Sequence, residues 1–171
     1  RKKWLALALS LTMVAGCLTG CGGSDSTTSN TNSGSSSNDS AKVETLADGG
    51  GKVLNIYVWN DEFSSRFEKY YPDYDKSTKS IGDVKVNFIQ NANEGNNYQD
   101  KLDAALKAQD SASADDKVDM FLCEMDYVNK YTNTDKALDV KALGLTDEDM
   151  SQMYDYTKQA ATGVDGVLRG V

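Results

Sequence analysis

Val53-Leu54-Asn55-Ile56-Tyr57-Val58-Trp59, followed at once by Asn60-Asp61-Glu62-Phe63, is the stretch that decides the fold. Its β-branched and aromatic residues make it a buried strand. Asn60 and Asp61 then offer caps for a helix whose apolar residues Phe63, Phe67, Tyr70 and Tyr74 recur at spacings of four, three and four. Pro72, the only proline of the chain, is expected to end that helix. Further along, Val84, Val86 and Phe88 alternate with Lys85 and Asn87 as a second strand. A polar loop from Asn91 to Asn97 leads into a helix with Tyr98, Leu102, Ala105 and Leu106 on one stripe. Val118 to Cys123 forms a third strand, and Tyr127, Val128 and Tyr131 a short helix after it. Thr146 with Asp149 has the form of a capping box opening a helix that carries Met150, Met153, Tyr154 and Ala161, with Gly163 as its C-cap. Asp165-Gly166 is a turn, and Val167 to Val171 starts a further strand.

Strands alternating with helices predict βαβ units around a parallel sheet, an α/β fold. In such sheets ligands gather at the carboxyl ends of the strands. Here those ends are Trp59-Asn60-Asp61, Gln90-Asn91 and Glu124-Met125-Asp126. One indole with several amides and carboxylates suits a sugar, whose apolar ring face stacks on an aromatic while its hydroxyls meet polar side chains. Each residue also has a plainer role. Trp59 either serves the core or faces ligand, and Asn60 and Asp61 either cap the helix or face ligand. Glu124 and Asp126 form a cap and a ligand acceptor, or the two carboxylates of glycosidic chemistry.

Composition excludes several classes. The 171 residues hold 26 Asp and Glu against 18 Lys and Arg, a formal charge of −8, the wrong sign for a general nucleic-acid binder. Histidine is absent, which removes His-dependent triads and His-ligated zinc or haem. Three cysteines make neither a disulfide scaffold nor a four-thiolate zinc site. Asp73 to Val84 has acids at Asp73 and Asp75, but Thr78 stands where a calcium loop needs Gly, and Val84 where it needs Glu. Gly49-Gly50-Gly51 precedes a strand and opens no helix, so it is no phosphate loop. Cys123 is expected to pack in the sheet as a small hydrophobe.

The first twenty residues look like an export address. Arg1, Lys2 and Lys3 precede an apolar run from Trp4 to Ala15 that is too short for a span of about 20 residues and fits a signal peptide. Leu18-Thr19-Gly20-Cys21 resembles the bacterial lipobox, in which the Cys is lipidated and becomes the mature N-terminus. Val14-Ala15-Gly16-Cys17 has the same form, so Cys17 is the alternative. Cys21 is preferred because Leu18 suits the motif and the chain turns polar directly after it. Gly22 to Ser40 is entirely Ser, Thr, Asn, Gly or Asp, and ordering it would cost entropy with no apolar burial in return. Extended to Lys52, this tether has an r.m.s. span of about 30 Å. The expected organisation is therefore a signal peptide at 1–20, a lipidated tether at 21–52 and an α/β lobe at 53–171.

Taken together, the lipobox, the Ser/Asn tether, Val53 to Phe63 and Asp119-Met120-Phe121-Leu122-Cys123-Glu124-Met125-Asp126-Tyr127-Val128-Asn129-Lys130-Tyr131 resemble extracellular solute-binding lipoproteins. The likeness is to the carbohydrate-type binding subunits of bacterial ABC importers. Ala137 to Leu145 and Asp165 to Val171 fit the same pattern. This resemblance implies the N-terminal lobe of a two-lobed, periplasmic-binding-protein-like fold of type II, with the second lobe beyond Val171. It implies Trp59, Asn60 and Asp61 in a first binding loop and Glu124 and Asp126 in a third; Asn91, read from the strand ends with Gln90, is a polar loop residue placed to touch the same ligand. It further implies a monomer with a carbohydrate ligand, an ABC permease as partner, and no nucleic acid, metal or catalytic role. A diacylglycerol anchor on Cys21, with no other cofactor, would hold the protein on the outer face of the cell membrane. The alternatives are a surface lipoprotein enzyme acting on glycans, and a sensory or adhesive binding module. Metabolic labelling with a radioactive fatty acid should mark the protein, and Cys21→Ala should lose that label while Cys17→Ala keeps it; the reverse pattern would move the anchor to Cys17.

Overall fold

The computed structural model describes residues 50–171. The leader, Cys17, Cys21 and the tether up to residue 49 lie outside the described residues. Strand β1 is Val53–Val58, helix α1 Glu62–Tyr70, and the two-residue strands β2 and β3 are Tyr74–Asp75 and Ser80–Ile81. Strand β4 is Val84–Gln90, helix α2 Asn97–Ala108, strand β5 Met120–Phe121, helix α3 Val128–Thr132 and helix α4 Asp155–Ala160. The five strands form one sheet in the order β2-β3-β4-β1-β5.

β1 lies between β4 and β5 and runs parallel to both, with Ile56 opposite Phe88 on β4 and Met120 on β5. Crossovers between parallel strands are right-handed. Moving from β1 out to β4 and then back past β1 to β5 therefore places α1 and α2 on opposite faces. Side chains obey that arrangement with period two. Ile56, Val58 and Val86 pack on one face with Phe63 and Phe67 of α1. Tyr57 and Trp59 turn to the other face and meet Tyr98, Leu102 and Leu106 of α2 and Tyr131 of α3. Ile56, Val58, Tyr98 and Leu102 are fully buried, and each such side chain stabilises the fold by about 1.5–3 kcal/mol.

The polar residue inside β1 is equally constrained. Asn55 is buried, and each of its polar atoms has a hydrogen-bond partner. Its amide nitrogen donates to the carbonyls of Asp115 and Lys117, both at 2.8 Å, and its Oδ1 accepts from Asn87 Nδ2 at 2.9 Å. Its backbone N–H donates to Asp119 Oδ2 at 2.8 Å, and its carbonyl accepts from the Asp119 N–H at 3.1 Å. Lys52, placed by composition in the tether, already joins the fold: its carbonyl accepts from the Lys85 N–H at 2.9 Å.

Several expectations need correction. The sheet is mixed, because the segment between α1 and β4 forms an antiparallel hairpin, Tyr74 pairing with Ile81 and Asp75 with Ser80. Tyr74 therefore belongs to β2 and not to α1. The helix stops at Tyr70 because Pro72 forces Tyr71 into extended backbone (φ −73°, ψ 114°), and Tyr74 returns to meet the Phe67 ring edge-on at 5.4 Å. The third strand keeps regular pairing only at Met120–Phe121. The helix expected from Thr146 is a chain of turns up to Met153, and only Asp155–Ala160 is helical. The Thr146–Asp149 contacts do form, Thr146 Oγ1 donating at 2.6 Å and accepting from the Asp149 N–H at 3.2 Å. Within that stretch Met150 alone is buried, too little packing to offset the cost of helix nucleation. Val167 to Val171 forms no strand; Leu168 makes a single bridge to Thr162 and accepts from the Val140 N–H at 3.0 Å.

Gly163 is no C-cap either, since α4 ends on Ala161. It is required for space. Arg169 holds Asp165 through two 2.7 Å bonds and donates from Nε to the Ala137 carbonyl at 2.9 Å. The guanidinium keeps the Asp165 carboxyl well below the usual carboxylate range. A Cβ on Gly163 would lie 2.5 Å from both Arg169 Nη1 and the Thr132 carbonyl oxygen. The carbonyl belongs to backbone and cannot move aside. Gly163→Ala should therefore cost about 1–3 kcal/mol and lower the midpoint of thermal unfolding by several degrees; an unchanged midpoint would show that this corner is not close-packed.

Candidate functional site

β4, β1 and β5 lie side by side and point the same way, so the loops at their carboxyl ends leave from one end of the sheet. Trp59, Asn60 and Asp61 follow β1, Asn91 follows β4, and Glu124 and Asp126 follow β5. The candidate residues thus share one end of three adjacent strands. β1 and β5 send their chains to opposite faces, the position at which open α/β sheets gather their ligands.

Trp59 is half-buried and belongs to the core packed around α2. Its ring meets Tyr98 edge-on, centroids 5.4 Å apart and planes at 90°. Asn60 is the residue that caps α1, its Oδ1 accepting from the Glu62 N–H at 3.0 Å. Asp61 occupies the N-cap position but makes no capping bond through its side chain, which stays exposed. Asn91 is half-buried and joins the sheet through its backbone, its N–H donating to the Val58 carbonyl at 2.9 Å. Glu124 and Asp126 are exposed, and neither caps α3, whose N-cap is Tyr127 with no side-chain bond. The cap expected of one of them is therefore not made.

Two residues that periodicity and composition did not single out for the site organise it. Asn93 Nδ2 donates to Glu124 Oε2 at 3.3 Å, so the loop after β4 reaches the loop after β5 although β1 lies between those strands. That loop is held in shape by Asn97 Nδ2, which donates to the Ala92 carbonyl at 3.1 Å, and by a tight turn in which Gly95 (φ 54°) and Asn96 (φ 66°) are both left-handed. The second is Tyr98, wholly buried, its hydroxyl 2.7 Å from the Leu122 carbonyl and 3.1 Å from the Tyr57 carbonyl. The Asn-rich composition of residues 91–97 signals a turn, but nothing in the spacing reveals the reach to Glu124.

No protein-family model, no curated protein and no solved structure matches this chain.

What the site can do follows from its own chemistry. The three loops between 59 and 62, 90 and 97, and 122 and 127 contain acceptors and amide donors and no Lys or Arg. Among the described residues no group of His, Cys, Asp and Glu is arranged to hold a metal ion. Two surface hollows of about 440 and 400 Å³ border α4 elsewhere, and no candidate residue lines either. Cys123, at the start of the third loop, is half-buried against the α2 core, and burial, with the Glu124 charge beside it, pushes its thiol up to about 11. It is a packed thiol, protonated at neutral pH. In a chain with Cys17 and Cys21 changed to Ser, iodoacetamide should modify Cys123 at least tenfold more slowly at pH 7.5 than a free cysteine, with the rate climbing to about pH 11; a plateau near pH 9 would mean an ordinary, accessible thiol.

Proposed function

We propose that the protein is the ligand-binding subunit of a bacterial ABC importer for sugars or oligosaccharides, tethered by lipid outside the cell. The observation that carries this reading is the meeting of three polar loops and a half-buried indole at one end of the parallel strands. The Asn93–Glu124 bond supports it, because it joins two of those loops into one surface. The mixed α/β sheet with helices on both faces is compatible with a lobe of a periplasmic-binding-protein-like fold. The lipobox-like Leu18 to Cys21 and the polar tether support attachment to the membrane surface.

In this reading Trp59 offers an apolar face to a pyranose ring, and Asp61, Glu124 and Asp126 accept hydrogen bonds from its hydroxyls. Asn60 supports the first loop by capping α1, and Asn91 anchors the second loop to the sheet. A second lobe closes over the ligand, and ligand shifts the population toward the closed form because only that form contacts it from both sides. The permease then receives the closed form. The protein acts as a receptor and performs no chemistry on its ligand.

The test uses the complete encoded protein after leader removal, titrated with maltotriose, cellotriose, xylotriose and chitotriose. At least one should change the tryptophan emission saturably and, at a hundredfold excess over Kd, raise stability by about 2.7 kcal/mol, without releasing new reducing ends. Silence across all four in emission, calorimetry and melting would sink the sugar-receptor reading. Release of reducing ends would replace it with the glycan-cleaving enzyme.

A further inference from the structure

We infer that Tyr98 is the positioning residue of the candidate site, setting the distance between the loop that carries Trp59 and the loop that carries Glu124 and Asp126. This rests on the sugar-receptor reading, and it names the part of the structure that makes that site rigid. Tyr98 is fully buried in the first turn of α2, directly below both loops. Its hydroxyl lies 2.7 Å from the carbonyl of Leu122, one residue before Cys123, and 3.1 Å from the carbonyl of Tyr57, two residues before Trp59. One phenolic proton is thus held between the last turns of two neighbouring strands. The Tyr57 carbonyl also accepts the Leu122 N–H at 3.0 Å, so three polar groups of β1, β5 and α2 meet at one point. The Tyr98 ring also fixes the angle of the Trp59 indole through the edge-on contact at 5.4 Å.

At the strand ends the Leu122 N–H bond to the Tyr57 carbonyl is the backbone link, and the Tyr98 hydroxyl adds a side-chain tie beside it. β5 pairs with β1 over only two residues, and regular pairing stops at Tyr57 and Phe121. From Leu122 onward the third loop leaves the sheet, and the Tyr98 hydroxyl holds the carbonyl at its start. The geometry of Tyr98 suits that role because an aromatic side chain has few rotamers and a fixed length. Burial keeps the phenol protonated, so it stays a donor at every pH the protein meets. A role in core packing alone would require the ring and not the hydroxyl.

Tyr98→Phe keeps the ring and removes the hydroxyl tie. In the complete protein, affinity for whichever of the four trisaccharides binds best should fall about fivefold to tenfold, the loss of one buried hydrogen bond. Leu106→Val, a core change at the far end of the same helix, serves as the stability control and should leave affinity unchanged. If Tyr98→Phe binds as tightly as the unaltered protein, or if both variants lose affinity in step with stability, the positioning role falls and the receptor reading survives. If the unaltered protein binds none of the four, both fall. Should Tyr98→Phe fail to fold, amide hydrogen exchange on the unaltered protein decides: bound trisaccharide should protect residues 57–61 and 121–126 together, and protection of one loop without the other would overturn the inference.

Discussion

The full satisfaction of Asn55 is the constraint on which the rest of the sheet depends. An amide in the middle of a buried strand is costly unless each of its donors and acceptors is paired. Here the pairing reaches in both directions at once, to Asn87 on β4 and to the segment from Asp115 to Asp119 that leads into β5. A one-residue slip of either neighbour would leave some of these groups unpaired, and a slip of β4 would also turn Val86 away from α1. Burial raises the Asp119 carboxyl from its usual value, while the Asn55 N–H opposes that shift by stabilising the ionised form. The register of all three parallel strands is thus written by polar geometry at one end of β1, with apolar packing filling the two faces around it.

Tyr98 performs the matching task at the other end. Asn55 ties β1 to its neighbours near the amino ends of the strands, and Tyr98 ties β1 to β5 where the loops begin. Between these two ties the short β1–β5 pairing suffices. Both ties come from buried polar groups, and in both cases partners distant in the sequence meet on a single side chain.

How much was legible beforehand follows from the range of the interactions involved. β1, α1, β4 and α2 announce themselves through local period and punctuation, because Ile56 and Val58, Phe63 and Phe67, and Leu102 and Leu106 each repeat at the spacing of their own element. The hairpin of β2 and β3 was missed because two-residue strands are too short to show alternation. Tyr74 fitted the helical spacing of α1 by coincidence, and the backbone restriction imposed by Pro72 outweighed it. Thr146 and Asp149 form their local contacts, but a helix also needs a face to bury, and burial is a property of the whole fold. At the candidate site, the loops could be located from the strand ends. The links from Asn93 to Glu124 and from Tyr98 to Leu122 could not, since they depend on which strands become neighbours.

The two margins of the sheet are unequal. At β2 the chain arrives from Pro72 and leaves through the turn around Asp75, where the Ser77 N–H and hydroxyl both bond to the carboxylate, so that margin is folded back on itself. β5 has no such stop: the residues on either side of Met120 and Phe121 continue without a turn, and Met120 is exposed. The β5 margin is therefore also the side of the sheet that borders the candidate site: Met120 stands exposed on the edge strand, and Glu124 and Asp126 follow it within the next six residues of the chain.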